Sequence, residues 1–422
     1  MPDNQLEREA MGKSVIVLGA GMVGTSTALH LAKRGDDVVL VDRRSPGRET
    51  SYGNAGLIQS EAVEPYGFPQ GLAPILKVIR KGGVDVNYHL TAMPGLTGVL
   101  EKYWLNSTPK RYRQIVQEFS RLIRHAISAH AELMAEAGAE HLVRKHGWIK
   151  AFRDERNIVE LVEHAQWLQQ EFGVPHTPLD RAALARLEPQ LKGFAGGVHW
   201  TEPWAVRDPG ALVASYARYF ERLGGRFMLG DALSLRPRGK GWAVQTDEGL
   251  LEAEQVVVAL GPWSAGLTRK LGYRLPLFIK RGYHLHYRGE PLNHPLLDAD
   301  NGFMLVPMEK GLRLTTGAEF ARLNDRATPV QVTKAERIAR ELVPLGEPVE
   351  DEPWMGARPC TVDMKPVLGA APRHHGLWFH FGHAHQGFTL GPATAKLLAQ
   401  VMHGEQPFTD PTPYGPGRFL AK

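Results

Sequence analysis

Val15-Ile-Val-Leu-Gly19-Ala-Gly21-Met-Val-Gly24 is the stretch that decides the fold. Residues 14–18 are short, apolar and β-branched, and read as a buried parallel strand. Gly19 to Gly24 form the turn, and residues 22–34 read as a helix ending before Gly35. Val38 to Val41 read as a second strand, closed by Asp42. Together these make a βαβ unit. A Gly-x-Gly-x-x-Gly alone is a weak signal, but here it follows a strand, opens a helix and precedes an acid at the next strand end. Gly19 permits the tight turn, Gly21 lets backbone reach a pyrophosphate, and Gly24 lets helix and strand pack closely. The pyrophosphate would sit at the positive helix N-terminus, and Asp42 would accept from ribose hydroxyls. Arg43 and Arg44 would suit a 2′-phosphate, but Asp42 would repel it. FAD, NAD and NADP each fit this unit taken alone.

The chain has 422 residues, which favours two domains over one core. It is 43% apolar and 23% charged, as in an ordinary soluble protein. No run of about 18 apolar residues would span a membrane. The polar start, Met1 to Ala10, lacks the apolar core of a signal peptide and reads as a disordered extension over 1–12. The single cysteine, Cys360, excludes intrachain disulfides. A cytoplasmic location is the simplest expectation, with peripheral association at an inner membrane left open. The net charge is +5, but basic residues are scattered among acids, so a solvated surface is expected and no nucleic-acid partner.

Further along, 61–110 reads as loops and short helices, and Arg111 to Gly138 as one long amphipathic helix with Ile115, Phe119, Leu122 and Ala126 on one face. Asn157 to Phe172 and Asp180 to Pro189 read as helices, and Trp148 to Phe152 as a strand. Asp208-Pro209 opens a helix through Leu223 with Asp208 as N-cap. Short strands are expected near 226–229, 242–246 and 255–260, and antiparallel strands at 277–287 and 303–317. Helix 333–342, a strand at 378–381 and a closing helix from Thr389 to Met402 complete the pass.

A second signal lies at the other end: Gly356-Ala-Arg358-Pro-Cys-Thr-Val-Asp363, then Gly382-His383-Ala-His385-Gln-Gly387-Phe-Thr. With Glu49-Thr-Ser-Tyr-Gly-Asn54-Ala-Gly56, Asp208-Pro209, Val257-Val-Ala-Leu-Gly261-Pro-Trp263 and Lys280-Arg281-Gly282-Tyr283-His284, the chain resembles the D-amino acid oxidase/dehydrogenase superfamily of flavoproteins over about 13–405. The Thr-Ser-x-x-Asn-Ala-Gly segment looks most like the bacterial D-amino acid dehydrogenase (small subunit-like) branch, which includes enzymes acting on D-proline and hydroxy-D-proline. The resemblance implies an α/β (α+β overall) architecture with a glutathione-reductase-like FAD fold. A Rossmann-type FAD-binding domain is expected over 13–60, 189–270 and 355–410. A substrate-binding domain with a mixed or antiparallel sheet and helices is expected over 61–188 and 271–354.

The resemblance implies that Arg358 holds a substrate carboxylate, and a guanidinium fork suits that group. A structural ion pair of Arg358 with Asp363 or Glu352 is the bland alternative. His385 is expected to line the pocket and His383 to lie beside it or simply pack. Tyr283 and His284 lie on opposite strand faces, and Tyr283 is favoured to reach substrate. Glu61, Glu64 and Tyr66 are expected to close one side. The expected cofactor contacts are Gly19, Gly21, Met22, Val23, Gly24, Asp42, Arg43 and Arg44; then Thr50, Ser51, Asn54, Ala55, Gly56 and Leu57; then Ala232, Ala259, Gly261 and Trp263; and finally Arg358, Gly382, His385, Gly387, Phe388 and Thr389. Five histidines stand between His374 and His385, yet their spacing fits no zinc pattern, so no metal is expected. Sarcosine-oxidase-like members tether flavin through a cysteine where this chain has Gly356, so non-covalent FAD is implied.

The implied reaction is hydride transfer from the Cα of a D-amino acid, D-proline types included, to flavin N5, giving an imino acid. A quinone, a respiratory carrier or dioxygen would then take the electrons. Alternatives are a sarcosine/glycine oxidase-like amine oxidase, a 2-hydroxy acid dehydrogenase, or a flavin-binding subunit of a larger complex.

Overall fold

The computed structural model describes residues 12–71 and 84–420. Residues 1–11 of the expected extension, 72–83 of the expected loop region and 421–422 lie outside the described residues. Strand Ser14–Leu18 runs parallel to Asp37–Asp42 on one side and Gln255–Val258 on the other. The starts of Arg226–Arg238 and Leu377–Phe381 extend the parallel centre outward. Antiparallel strands Gly241–Thr246, Gly249–Ala253 and Val367–Ala370 finish the two edges, giving eight strands. The central strands are buried on both faces, which is why Ile16, Val17, Leu18, Val256, Val257 and Val258 are uninterrupted apolar runs.

Arg226–Arg238 is far longer than the expected 226–229. Its first part pairs with Asp37–Asp42, and after a register shift between Asp231 and Arg236 its second part pairs with Gly241–Thr246. One strand thus serves two neighbours, a long-range fact that local patterning does not encode.

Ten strands form a mixed sheet. At its centre Leu277–Tyr287 pairs antiparallel with Gly311–Thr315, Ala318–Phe320 and Trp354–Thr361. Gly196–Trp200 and Trp354–Thr361 both belong to this sheet, on the far side of the domain boundaries drawn at 189 and 355. A three-stranded sheet joins Leu57–Ile58, Trp204–Val206 and Val143–Arg144.

Side-chain caps fix several helix starts. Asp154, Asp180 and Asp208 accept from the backbone N–H groups of Arg156, Ala183 and Ala211 at 2.9, 2.7 and 2.9 Å. The single helix expected over 111–138 is two, Pro109–Ile123 and Ala126–Ala137. No proline or glycine marks the break at Arg124-His125. The new direction lets His130 meet Tyr216 and the Phe388 carbonyl at 3.1 and 2.9 Å, and tertiary packing decides. Met93–Asn106, inside a segment read as loops and short helices, is a 14-residue helix.

Helix Met22–Ala32 starts one residue past Gly21 and lies against Gly387–Met402. The approach is tight: a Cβ on Gly391 would stand 2.7 Å from Met22 Cγ. A Cβ on Gly24 would stand 1.8 Å from the Gly19 carbonyl oxygen. Gly24→Ala is therefore expected to lower the free energy of unfolding by about 2 kcal/mol or more, read from the urea midpoint at constant m-value. An unchanged midpoint would contradict this close packing.

Candidate active site

The parallel strands deliver their C-terminal ends to one cavity of about 850 Å³. At one end the chain leaves Leu18 through Gly19, whose φ of 107° and distance of 2.4 Å from a would-be Cβ to the Ala259 carbonyl oxygen admit no other residue without strain. Gly21 gives the helix that follows no side-chain cap, and its first turn, Met22 and Val23, borders the cavity. Ser51 Oγ accepts from Met22 N at 2.9 Å and ties the following loop to that helix start. Asp42 accepts from Ala20 N at 2.6 Å and from Arg44 N at 3.1 Å. Burial pushes its carboxyl above the ordinary value, against those N–H groups. Arg43 lies over the Trp263 ring at 4.2 Å and bonds Glu49 at 2.7 Å, flooring the adjacent wall.

At the far end stands a second uncapped helix start, Gly387–Met402. Gly382, His385, Gly387 and Phe388 form the wall there, beside Arg358. Arg358 Nη1 donates to the Arg281 and Gly317 carbonyls at 3.3 and 3.0 Å. Its other donors have no hydrogen-bond partner among the described residues, and neither Asp363 nor Glu352 pairs with it. Asp363 instead takes Arg418 at 2.8 Å. Gly282 is the reason the guanidinium fits: a Cβ there would stand 2.5 Å from Nη1 and 2.6 Å from Nη2.

Nearly every residue expected at the site borders this cavity. Gly24, Arg44, Gly56 and Thr389 do not. Gly24 packs against Gly19, and the Arg44 side chain is 60% exposed beside Glu49 at 3.3 Å. A Cβ on Gly56 would stand 2.3 Å from the Val206 carbonyl, and Thr389 Oγ1 donates to the Leu57 carbonyl at 3.1 Å. Gly24, Gly56 and Thr389 support the wall from behind, and Arg44 lies at the surface.

Two of the residues expected to be catalytic are committed elsewhere. The Tyr283 hydroxyl donates to Glu319 at 2.6 Å and accepts from Thr328 N at 2.9 Å. Arg281 also reaches Glu319 at 2.6 Å, with both side chains fully buried. Burial pushes the Glu319 carboxyl up, but hydrogen bonds from Thr328, Tyr283 and Arg281 together hold it below its ordinary range. His383 Nε2 meets Thr394 Oγ1 at 3.0 Å, and burial pulls its pKa down to about 3. It is a packed neutral imidazole. His380 Nδ1 likewise meets Thr27 Oγ1 at 2.8 Å. His385 does border the cavity, with its ring 4.8 Å from that of Tyr66. Burial, then Arg358 and Lys280, hold its pKa well below the ordinary value, so it stays neutral.

Sequence reasoning missed Lys280, Tyr103, Trp148 and Gln59, all of which border the cavity. Period-2 alternation from Gly282 was an available signal for Lys280. Nothing local marked the others. Of the three residues expected to close one side, Tyr66 borders the cavity, while Glu64 pairs with His164 at 2.7 Å outside it. Glu61 sits just behind, where its Oε1 accepts from Gln59 and Trp148 at 2.6 and 2.9 Å.

A βαβ nucleotide cradle at one end, a second open helix start at the other and a free guanidinium between them define a flavin-dependent oxidoreductase. The pattern of the family described as DAO, FAD dependent oxidoreductase, matches residues 14–401, and the chain belongs to that family. It is 30% identical to a D-amino-acid oxidase of Bradyrhizobium diazoefficiens, over 97% of this chain and 99% of that protein. It is 29% identical to a D-amino acid dehydrogenase of Chromohalobacter salexigens, over 96% of this chain and all of that protein. Its fold matches glycine oxidase from Geobacillus kaustophilus with a TM-score of 0.72, at 24% identity, over 97% of this chain and all of that one. The cofactor is FAD, and the residues present fit it. The one cysteine is buried, with its thiol 3.6 Å from the Arg358 carbonyl, and does not border the flavin cavity. Among the described residues no helix is long and apolar enough to cross a membrane.

Burial pushes the Glu61 carboxyl up to about 7, against the hydrogen bonds from Gln59 and Trp148. Its Oε2 has no partner, which suits the protonated form. A raised folded-state pKa contributes stability that is complete below the ordinary Glu value of 4.5 and is lost as pH rises through about 7. The expected size is on the order of 3 kcal/mol across that window. Urea unfolding between pH 5 and 8 should show this slope in the native protein and lose it in Glu61→Gln. The same slope in both would contradict the assignment.

Proposed function

We propose that the protein oxidises the Cα–N bond of a free D-amino acid to the imino acid, with Arg358 holding the substrate carboxylate. The observation that carries this is the Arg358 guanidinium in the cavity wall, short of partners and given room by Gly282. The names of the two curated relatives support the same donor class. Burial draws the Arg358 pKa below its ordinary value, as expected of a cation in want of a counter-charge.

FAD, when bound, accepts the electron pair and the hydrogen that leave Cα. The chain's own part is positioning. The N–H groups at the start of helix Met22–Ala32 would hold the pyrophosphate, and Asp42 would hold the ribose. The positive start of helix Gly387–Met402 favours negative charge at the ring end. Arg358 fixes the carboxylate in two directions and so aims Cα–H. His385, kept neutral by its surroundings, offers the amine a hydrogen-bond acceptor without adding charge. An amine bound in its neutral form needs no further base.

The reading is tested by anaerobic bleaching of the bound flavin's visible absorption. The panel is D- and L-amino acids, D-proline, hydroxyprolines, sarcosine, glycine and 2-hydroxy acids. Bleaching by D-amino or D-imino acids is expected, and admitting air or a quinone then identifies the electron acceptor. Bleaching by hydroxy acids alone would overturn the donor class. Arg358→Leu should keep its flavin and lose about 10²–10³-fold in kcat/KM, the size seen when one partner of a buried charge pair is removed. Gly282→Ala should act in the same direction through KM, by displacing the guanidinium. Wild-type kinetics in both variants would place the carboxylate elsewhere.

A further inference from the structure

Lys280 and Arg358 are direct cross-strand partners on Leu277–Tyr287 and Trp354–Thr361. Directly opposed residues share a face, with Cβ atoms about 4.5–5.5 Å apart. Both side chains border the flavin cavity. Like charges in this relation repel, and Lys280 is 7% exposed. Among the described residues neither cation has a carboxylate within ion-pair distance.

Lys280 is nonetheless held firmly. Its Nζ donates to the Tyr103 hydroxyl at 2.8 Å and lies over the rings of Tyr103, Phe278 and Phe320 at 4.4, 5.6 and 5.7 Å. The Tyr103 proton is committed to the Tyr66 carbonyl, so this oxygen can only accept from Lys280. Three aromatic faces steady an ammonium group but do not neutralise it. An ammonium has three donors, and one is used. The fold therefore keeps two positioned cations side by side in the substrate cavity with only one role, the α-carboxylate, so far assigned.

We propose that Lys280 is the ligand for a second anionic group, so that the substrate is an amino acid carrying a further carboxylate: an acidic D-amino acid of the aspartate or glutamate kind, or an N-carboxyalkyl amino acid. This rests on the reading of Arg358 as the α-carboxylate anchor. The ammonium supplies a point charge, which suits a carboxylate on a flexible arm, whereas the guanidinium fork suits the fixed one. Lys280 would then be a specificity residue that leaves the oxidation chemistry alone.

The test is anaerobic flavin reduction in the flavin-loaded protein, with D-glutamate against D-glutamine and D-aspartate against D-asparagine. These pairs match in size and differ in charge. The acids are expected to reduce the flavin at least 30-fold more efficiently than their amides. Lys280→Met should abolish that ratio by slowing the acids alone, and Lys280→Arg should restore part of it. A second measurement needs no variant: glutarate should perturb the wild-type flavin spectrum at 10-fold or more lower concentration than butyrate. Reduction by amides or apolar D-amino acids as fast as by acids would overturn the second-anion site and leave the Arg358 reading standing. Equal slowing of acids and amides in Lys280→Met, or a change only in reoxidation by air, would also overturn it. No reduction by any amino acid in a flavin-loaded protein would overturn both readings.

Discussion

Helix Met22–Ala32 lies flat against helix Gly387–Met402, and the whole cofactor end of the molecule follows from that contact. The two helices come from opposite ends of the chain, and Gly391 lets them touch at Met22. Thr27 and His380 add a buried hydrogen bond close by. Because the helices pack side by side, their uncapped N-termini open into one cavity. One positive helix end can meet a pyrophosphate while the other meets the ring system of the same extended cofactor. A dinucleotide cradle alone would leave NAD and FAD as equals. The match to the FAD dependent oxidoreductase family removes that ambiguity.

The substrate end depends on one strand with two characters. Along Leu277–Tyr287, Lys280 and Gly282 present one face and Arg281 and Tyr283 the other. The second face is closed by Glu319, which takes hydrogen bonds from Arg281, Tyr283 and Thr328 in a buried network. The first face is left open, with a glycine where bulk would exclude Arg358 and a lysine where charge would otherwise be avoided. The buried network anchors the strand, and the strand in turn holds its cations still.

What was legible in the sequence was what physics enforces locally. Gly19, Gly21, Gly24 and Asp42 are dictated by close approach and turn geometry; Gly19, Gly21 and Asp42 border the cavity, and Gly24 packs against Gly19. Aspartate caps at 180 and 208 start helices through contacts three residues long, while the cap at Asp154 starts its helix two residues before the expected Asn157. Other features depend on distant partners. The break at Arg124-His125 carries no breaker residue, since it answers to Tyr216 and Phe388. Alternation separates Tyr283 from His284 but does not show that Tyr283, at the cavity border, already commits its hydroxyl to Glu319, and it left Lys280 unremarked. Glu61 reads as an acid closing one side of the pocket, and only Gln59 and Trp148 around it show that it sits buried behind the wall. Ala384, with a φ of 51°, holds a left-handed conformation in the cavity wall that its residue type does not announce.

The most direct measurement of the central claim is a crystal structure of the flavin-loaded protein with a redox-inert carboxylate bound. The account predicts FAD extended from Gly19–Gly24 to Gly382–Gly387, with the carboxylate paired to the Arg358 guanidinium over Gly282. A carboxylate seated elsewhere, with Arg358 still turned to the Arg281 and Gly317 carbonyls alone, would contradict it.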